Sequence, residues 1–341
     1  MIGFGKTDTG KVARLITLQN ANHMKVQISN YGAMIVSILI PQKNNSYIDV
    51  ILGHSDVSQY QTSNSCMGAT IGRNANRIEN AEFVLNGKKY HLDKNEGNNN
   101  CHSGFSGFHK RMWNILNISE KKACFFLHSK DGDQGFPGNL DIKVTYELTD
   151  KNQLCIFYEG EADQDTIVNI TNHCYFNLDG HNSGTILDQL VKINADYFLP
   201  VKDISWIPTG ERRNVESTPM DFRKPQKIGK RLKEDFDQFD IKRDFNHCFI
   251  LNKTKNEASE AYSEKSGIRM KLYTDLPALQ FYTGGYLDAE PGKDNVIYGP
   301  NSGFCMEAEY VPNAINNEKE EQPILKKGEK YNKTIIYEFI W

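Results

Sequence analysis

The sequence predicts an all-β protein, a large antiparallel β-sandwich with few short helices, on three observations. Apolar and polar residues alternate with period two in many short segments, the pattern of strands buried on one face. Phe and Tyr are abundant, at 18 and 16 residues, beside many Val, Ile and Thr, all of which suit a pleated, half-buried surface. Runs of strands follow one another without the regular strand-helix alternation that builds a parallel sheet.

Taken in chain order, the first clear element is a hairpin. Phe83 and Leu85 lead into Asn86-Gly87, and Tyr90 and Leu92 follow, so a two-residue turn of the favoured type joins two alternating arms. An Asn- and Gly-rich stretch from Lys94 to Gly107 comes next and is long enough to be a functional loop. Ile142, Val144, Tyr146 and Leu148 alternate with Lys143, Thr145 and Glu147; with Leu154, Ile156 and Tyr158 beyond the short link 149–153, they predict a second hairpin. Asp179 to Gly184 is a second loop of the functional kind. The best helix signal runs from Pro225 to Asp240, where Ile228, Leu232, Phe236 and Phe239 fall near helical spacing behind a proline suited to a first turn. At the far end Ile335, Tyr337 and Phe339 share one face and Thr334 and Glu338 the other, a closing strand that runs to Trp341.

Length alone, 341 residues at about 150 per domain, suggests about two domains. No Gly/Ser linker, charge block, low-complexity tract or fixed repeat divides the chain, however. The formal charge of -3 offers no broad positive field for nucleic acid or an anionic membrane. The longest nearly unbroken apolar run, Ala33 to Ile40, is far short of the ~20 residues of a membrane helix. With no secretory pattern in the opening residues, the expected location is cytoplasmic. The 7 cysteines include no C-x-x-C pair and read as small buried hydrophobes.

Phosphate-loop and H-E-x-x-H zinc signatures are missing. What remains is a set of segments in which charged or imidazole groups sit beside Asn, Gly and aromatics: IGRNANRIENAEF (71–83), NNNCHSGFSGFHKRMW (98–113), VNITNHCYFNLDG (168–180), LQFYTGGYLD (279–288) and SGFCMEAEYVPNAIN (302–316). Amides, a guanidinium, imidazoles and a carboxylate beside aromatic rings form a sugar-binding inventory, because hydroxyls want directional partners and the C–H faces of a sugar ring want flat apolar ones.

With VILGHSDVSQY (50–60), IPTGE (207–211) and TPMDFR (218–223), these segments resemble, in order, the motifs of the aldose 1-epimerases, the galactose mutarotase family. The resemblance covers nearly the whole chain. It implies one sandwich domain over 1–341, of the galactose mutarotase-like supersandwich kind, because a boundary would split the site. It further implies interconversion of the α and β anomers of a free hexose such as galactose or glucose, with no metal and no organic cofactor. The partner is then a small aldose, with no nucleic acid and no membrane, and the protein a monomer or homodimer.

Carried over residue by residue, the resemblance makes His173 (TNHCYFNL) the general acid and Glu307 (FCMEAE) the general base, with Arg77, His102, Asn76 and Gln280 as sugar contacts. Asn246, in DFNHCF, stands where the family usually has Asp, which keeps an acceptor and loses the charge; Asp244 could take its place only if the local register shifts. Glu309 stands where the family often has Gln. An ordinary His pKa near 6.5 leaves roughly a quarter of His173 protonated at pH 7, and a neighbouring carboxylate is expected to raise that share. His54, His91 and His109 read as surface or structural. Three other readings stay open: an epimerase for phosphorylated hexoses, which needs a basic pocket; a sugar-binding module without catalysis; and a glycosidase pairing Glu307 with Glu309 or Asp244.

Overall fold

The computed structural model describes residues 1–239, 244–253 and 256–341, and its strands assemble into three main antiparallel sheets. The largest has nine strands in the order Asn114–Ile118, Lys122–Ser129, Leu140–Leu148, Gln153–Ala162, Lys330–Ile340, Arg269–Thr274, Ser259–Tyr262, Leu190–Ile193 and Gln226–Lys227. Both predicted hairpins are present. Leu148 sits opposite Leu154 across the first, and Leu85 opposite Lys88 across the second. Asn86 and Gly87 turn that second corner with φ of 52° and 76°, the left-handed pair that a two-residue hairpin of this hand requires.

The strand Lys330–Ile340 lies mid-sheet, pairing Tyr337 with Leu154 on one side and with Leu272 on the other. Ile335, Tyr337 and Phe339 are buried as the alternation predicts. The second sheet has six strands, ordered Tyr175–Phe176, Phe304–Glu309, Ala278–Tyr282, Asn246–Ile250, Tyr197–Leu199 and Arg213–Asn214. Residues 2–49 form a five-stranded meander. A single buried cluster joins these layers, from Ile16 and Ile28 through Tyr146 and Ile156 to Phe281, Met306 and Tyr337. In Phe304–Glu309, side chains of Phe304, Met306 and Ala308 enter that cluster, so period two turns Cys305, Glu307 and Glu309 to the opposite face.

Among the described residues there are two α-helices, Val57–Thr62 and Ile228–Leu232, and neither is long and apolar enough to cross a membrane. The helix expected over 225–240 is thus reduced to a short piece, and Asp240 lies outside the described residues. Its start is taken by Gln226–Lys227, which adds a strand beside Leu190 and Val191. Its end is given up to aromatic packing: Phe236 and Phe239 stack on each other, on Phe198 and on Phe245 rather than on a helical face. All seven cysteines are free, and Cys101, Cys155, Cys174, Cys248 and Cys305 are buried, as small hydrophobes would be.

Candidate active site

The outward face of the six-stranded sheet floors a cleft of about 1300 Å³. Glu307 comes from the strand Phe304–Glu309 and faces Gln280 on the neighbouring strand, and one strand further Asn246 is opposite Tyr282. His173 lies between the short strands Thr171–Asn172 and Tyr175–Phe176, its backbone tied to Ala69 O at 3.0 Å and to Gly68 N at 2.8 Å. Asn76 and Arg77 enter from one wall and His102 from the Asn-rich loop beside it. Asn76, Arg77, His102, His173, Asn246, Gln280 and Glu307 therefore all line this one cleft.

Asn76 and His102 are held against each other by reciprocal hydrogen bonds. The His102 N–H donates to Asn76 O at 3.1 Å, and the Asn76 N–H donates to His102 Nδ1 at 3.2 Å. Both residues have left-handed φ, 60° and 50°, as do Cys66 and Trp206 elsewhere on the cleft wall. That conformation is easy for Asn and strained for His, the kind of local cost that clusters where geometry matters. Because Nδ1 accepts, the ring proton of neutral His102 sits on Nε2, which makes His102 a donor toward the cleft.

Arg77 is fixed by Glu96, its Nε and Nη2 donating to the two carboxylate oxygens at 2.5 and 2.8 Å. On the floor, His173 Nε2 stands 3.6 Å from Glu307 Oε2, close enough to communicate and too far for a hydrogen bond. Burial drives the two apart: the imidazole falls to about 4 and the Glu307 carboxyl rises well above the ordinary range. The expectation that a neighbouring carboxylate would raise the protonated share of His173 is thus not met, because burial of the ring dominates, the Arg77 charge adds to the lowering, and the neighbouring Glu307 carboxyl itself tends to stay protonated. Burial likewise lowers His102, and His173 adds to the effect.

His102, His173 and Glu307 also form the one group of metal-type donors within 4.8 Å of one another among the described residues. The chemistry of the set does not suit an ion, since His102 offers Nε2–H and no lone pair while Asn76 holds its other nitrogen.

Several expectations change in detail. Asn246 lines the cleft and its Oδ1 accepts from Gln280 Nε2 at 2.7 Å. Asp244 does not substitute for it, being sealed from solvent with bonds from Thr283 Oγ1 and the Gly285 N–H. The Lys94–Gly107 loop contributes Asn95, Glu96 and His102 to the wall, whereas no residue of Asp179–Gly184 reaches the cleft and His181 packs on Tyr298 instead. His109, set aside as surface or structural, lines the cleft, and its buried ring is lowered to about 3. His54 lines a wall while bound to Pro291 O at 2.6 Å, and His91 is exposed. Glu96, Tyr175, Trp206 and Tyr282 were not singled out from the sequence. Tyr282 stands two positions from the candidate Gln280 on the strand Ala278–Tyr282, so strand alternation carried a signal for it.

The aldose 1-epimerase family model matches residues 14–338. The chain is 40% identical to an aldose 1-epimerase of Haemophilus influenzae over 336 residues, covering 97% of this chain and 96% of that one. It is 40% identical to a galactose mutarotase of Sus scrofa over 321 residues, covering 94% and 92%. Among solved structures, an aldose epimerase homologue from C. elegans superposes with a TM-score of 0.90 at 29% identity, covering 96% of this chain and 99% of that one. A galactose 1-epimerase from Lactobacillus acidophilus gives 0.87 at 29% identity, covering 99% and 97%. The all-β sandwich is therefore the galactose mutarotase-like fold, and with a match running through every segment that builds the cleft, the chain belongs to the aldose 1-epimerase family.

Proposed function

We propose that the chain interconverts the α and β anomers of a free aldose, with 1–341 working as one domain. The observation that carries this reading is an imidazole and a carboxylate, His173 and Glu307, buried 3.6 Å apart on the floor of a cleft walled by hydrogen-bonding side chains and aromatics. Glu307 takes the proton from the anomeric hydroxyl while His173 gives one to the ring oxygen. The bond between the anomeric carbon and the ring oxygen breaks and the aldehyde forms. Rotation about the bond to the next carbon, followed by the reverse transfers, closes the ring on the other face. Arg77, His102, Asn76, Asn246 and Gln280 hold the sugar hydroxyls meanwhile, so that the open chain recloses in place.

The roles of Glu307 as base and His173 as acid belong to the arrangement with the pair's one proton on His173, whereas the opposed shifts favour that proton on Glu307, 3.6 Å away. One group resists losing its proton and the other resists gaining one, so the pair holds a single proton over a wide pH range and presents one acid and one base together. An uncharged sugar also suits the cations of the cleft better than a phosphorylated one. Arg77 is committed to Glu96, and Lys110 Nζ donates to Gln61 O at 3.1 Å and Ser63 O at 2.8 Å.

The test is polarimetry of freshly dissolved α-glucose and α-galactose. The protein should speed the decay to equilibrium, and His173→Asn and Glu307→Gln should each slow it by at least about two decades, the usual worth of a positioned acid or base. Full activity in both variants would remove the assigned roles, and no acceleration with any aldose would leave a sugar-binding module.

A further inference from the structure

Directly beyond Glu307 on the same strand face lies a second carboxyl, Glu309, with no exposed surface. Its Oε1 accepts from Asn76 Nδ2 at 2.8 Å, and its Oε2 is buried without a hydrogen-bond partner. No lysine or arginine pairs with it among the described residues, and Arg77 already spends its Nε and Nη2 on Glu96. Two ionised carboxylates side by side on this floor would face one guanidinium already neutralised, an arrangement strongly disfavoured by the general energetics of buried like charges.

We propose that Glu309 is a positioning residue that works as an uncharged carboxylic acid, holding the Asn76 side chain through its carbonyl oxygen and sparing Glu307 a second negative charge. The groups that face it are few. Glu307 shares its strand, Arg77 comes from the strand Arg77–Ile78, and Cys248 comes from Asn246–Ile250. Directly opposite on Ala278–Tyr282 is Ala278, which carries no charge. The Cys248 thiol is itself pushed well up by burial and by Glu309, so it adds no charge. Burial, and then Glu307, push the Glu309 carboxyl well above the ordinary range. The Arg77 charge opposes the burial of both carboxyls. A neutral Glu309 adds no negative charge that would hold the proton on Glu307 more tightly.

The inference rests on the anomer-interconverting function only for its kinetic readout, so its first test is independent of activity. At pH 7 both buried carboxyls, Glu307 and Glu309, should contribute protonated-carboxyl C=O intensity in the infrared, and the difference between the starting protein and Glu309→Gln should show the loss of one such band with the Glu307 contribution retained. A difference spectrum that shows the loss of an ionised-carboxylate band instead, or no loss in the C=O region, overturns the proposal. Kinetically, Glu309→Ala should raise KM about tenfold through loss of the Asn76 contact, with a smaller change in kcat. Glu309→Gln, which keeps an acceptor oxygen and supplies a neutral donor, should recover most of that loss, and its pH-rate profile should superimpose on that of the starting protein. Were Glu309 ionised, removing its charge would make Glu307 easier to deprotonate and move the alkaline limb about a unit or more toward lower pH. Such a movement, or a Gln variant as impaired as the Ala variant, refutes the assignment.

Discussion

A buried residue's chemistry is set by its surroundings, and His173 and Glu307 are the plainest case. The pair takes up a second proton below about 4, where the imidazole titrates, and then lacks a base. It gives up its only proton above about 8, where the carboxyl titrates, and then lacks an acid. The rate of anomer exchange should therefore follow a bell with a broad plateau between those limits, read from initial polarimetric rates across pH. A rate that climbs steadily from pH 5 to 10 would contradict the one-proton pair. These residues were legible in the sequence because their motifs are contiguous, TNHCYFNL and FCMEAE. Their shifted proton affinities were not, since burial is a property of the folded chain: the same His reads as near-neutral in sequence and as a lowered, sealed ring in the structure. Glu96 went unseen for a related reason. Its importance lies in the grip on Arg77 across 19 residues of chain, and nothing local marks it.

Elements with a local signal were recovered, and those settled by distant packing were not. Asn86-Gly87 between alternating arms fixes its own hairpin. The region after Pro225 has helical spacing, yet sheet pairing of Gln226–Lys227 and the aromatic cluster around Phe236 and Phe239 outbid it, a tertiary override of a weak local preference. The helix Val57–Thr62 escaped attention because it is so short, although Asp56 before it is a sound start signal. The Asp56 carboxylate accepts from the Ser58 and Gln59 N–H groups at 2.8 and 3.2 Å. Asp56→Ala should lower stability by about 1 kcal/mol, as loss of an N-cap does. Because Gln59 and Thr62 of this helix line the cleft, urea unfolding is best measured beside KM. An unchanged unfolding midpoint would mean that tertiary contacts alone hold the helix.

Across the whole molecule, the strand pattern supplied the sandwich but not the meeting of its parts. Arg77, His102, His173 and Glu307 share a cleft only because the six-stranded sheet and the loops above it bring them there, and period-two patterning says which face a residue takes, not which neighbour it meets. The same burial shapes the response to acid. His109 and His247 are held to about 3 and His173 to about 4, all below the value near 6.5 expected when unfolded. The unfolded chain then binds more protons, so their stabilisation is complete above about pH 6.5 and drains away as pH falls toward about 3. The raised carboxyls Glu307 and Glu309 act in the opposite sense, so one histidine is best isolated. His247, packed against Trp206 and Phe198 and not itself part of the cleft lining, serves for this. His247→Gln should make stability fall less steeply between pH 6 and 4, by about one proton or ~1.4 kcal/mol per pH unit. Parallel curves for the two proteins would count against a neutral buried ring. One further consequence follows from the mid-sheet seat of Lys330–Ile340 between Gln153–Ala162 and Arg269–Thr274. On the ribosome, both of those strands emerge long before the segment that joins them, and each waits with a bare row of N–H and C=O groups. A growing chain therefore carries two sticky edges until residue 340 is made, which places its greatest exposure to aggregation in the interval before that strand emerges.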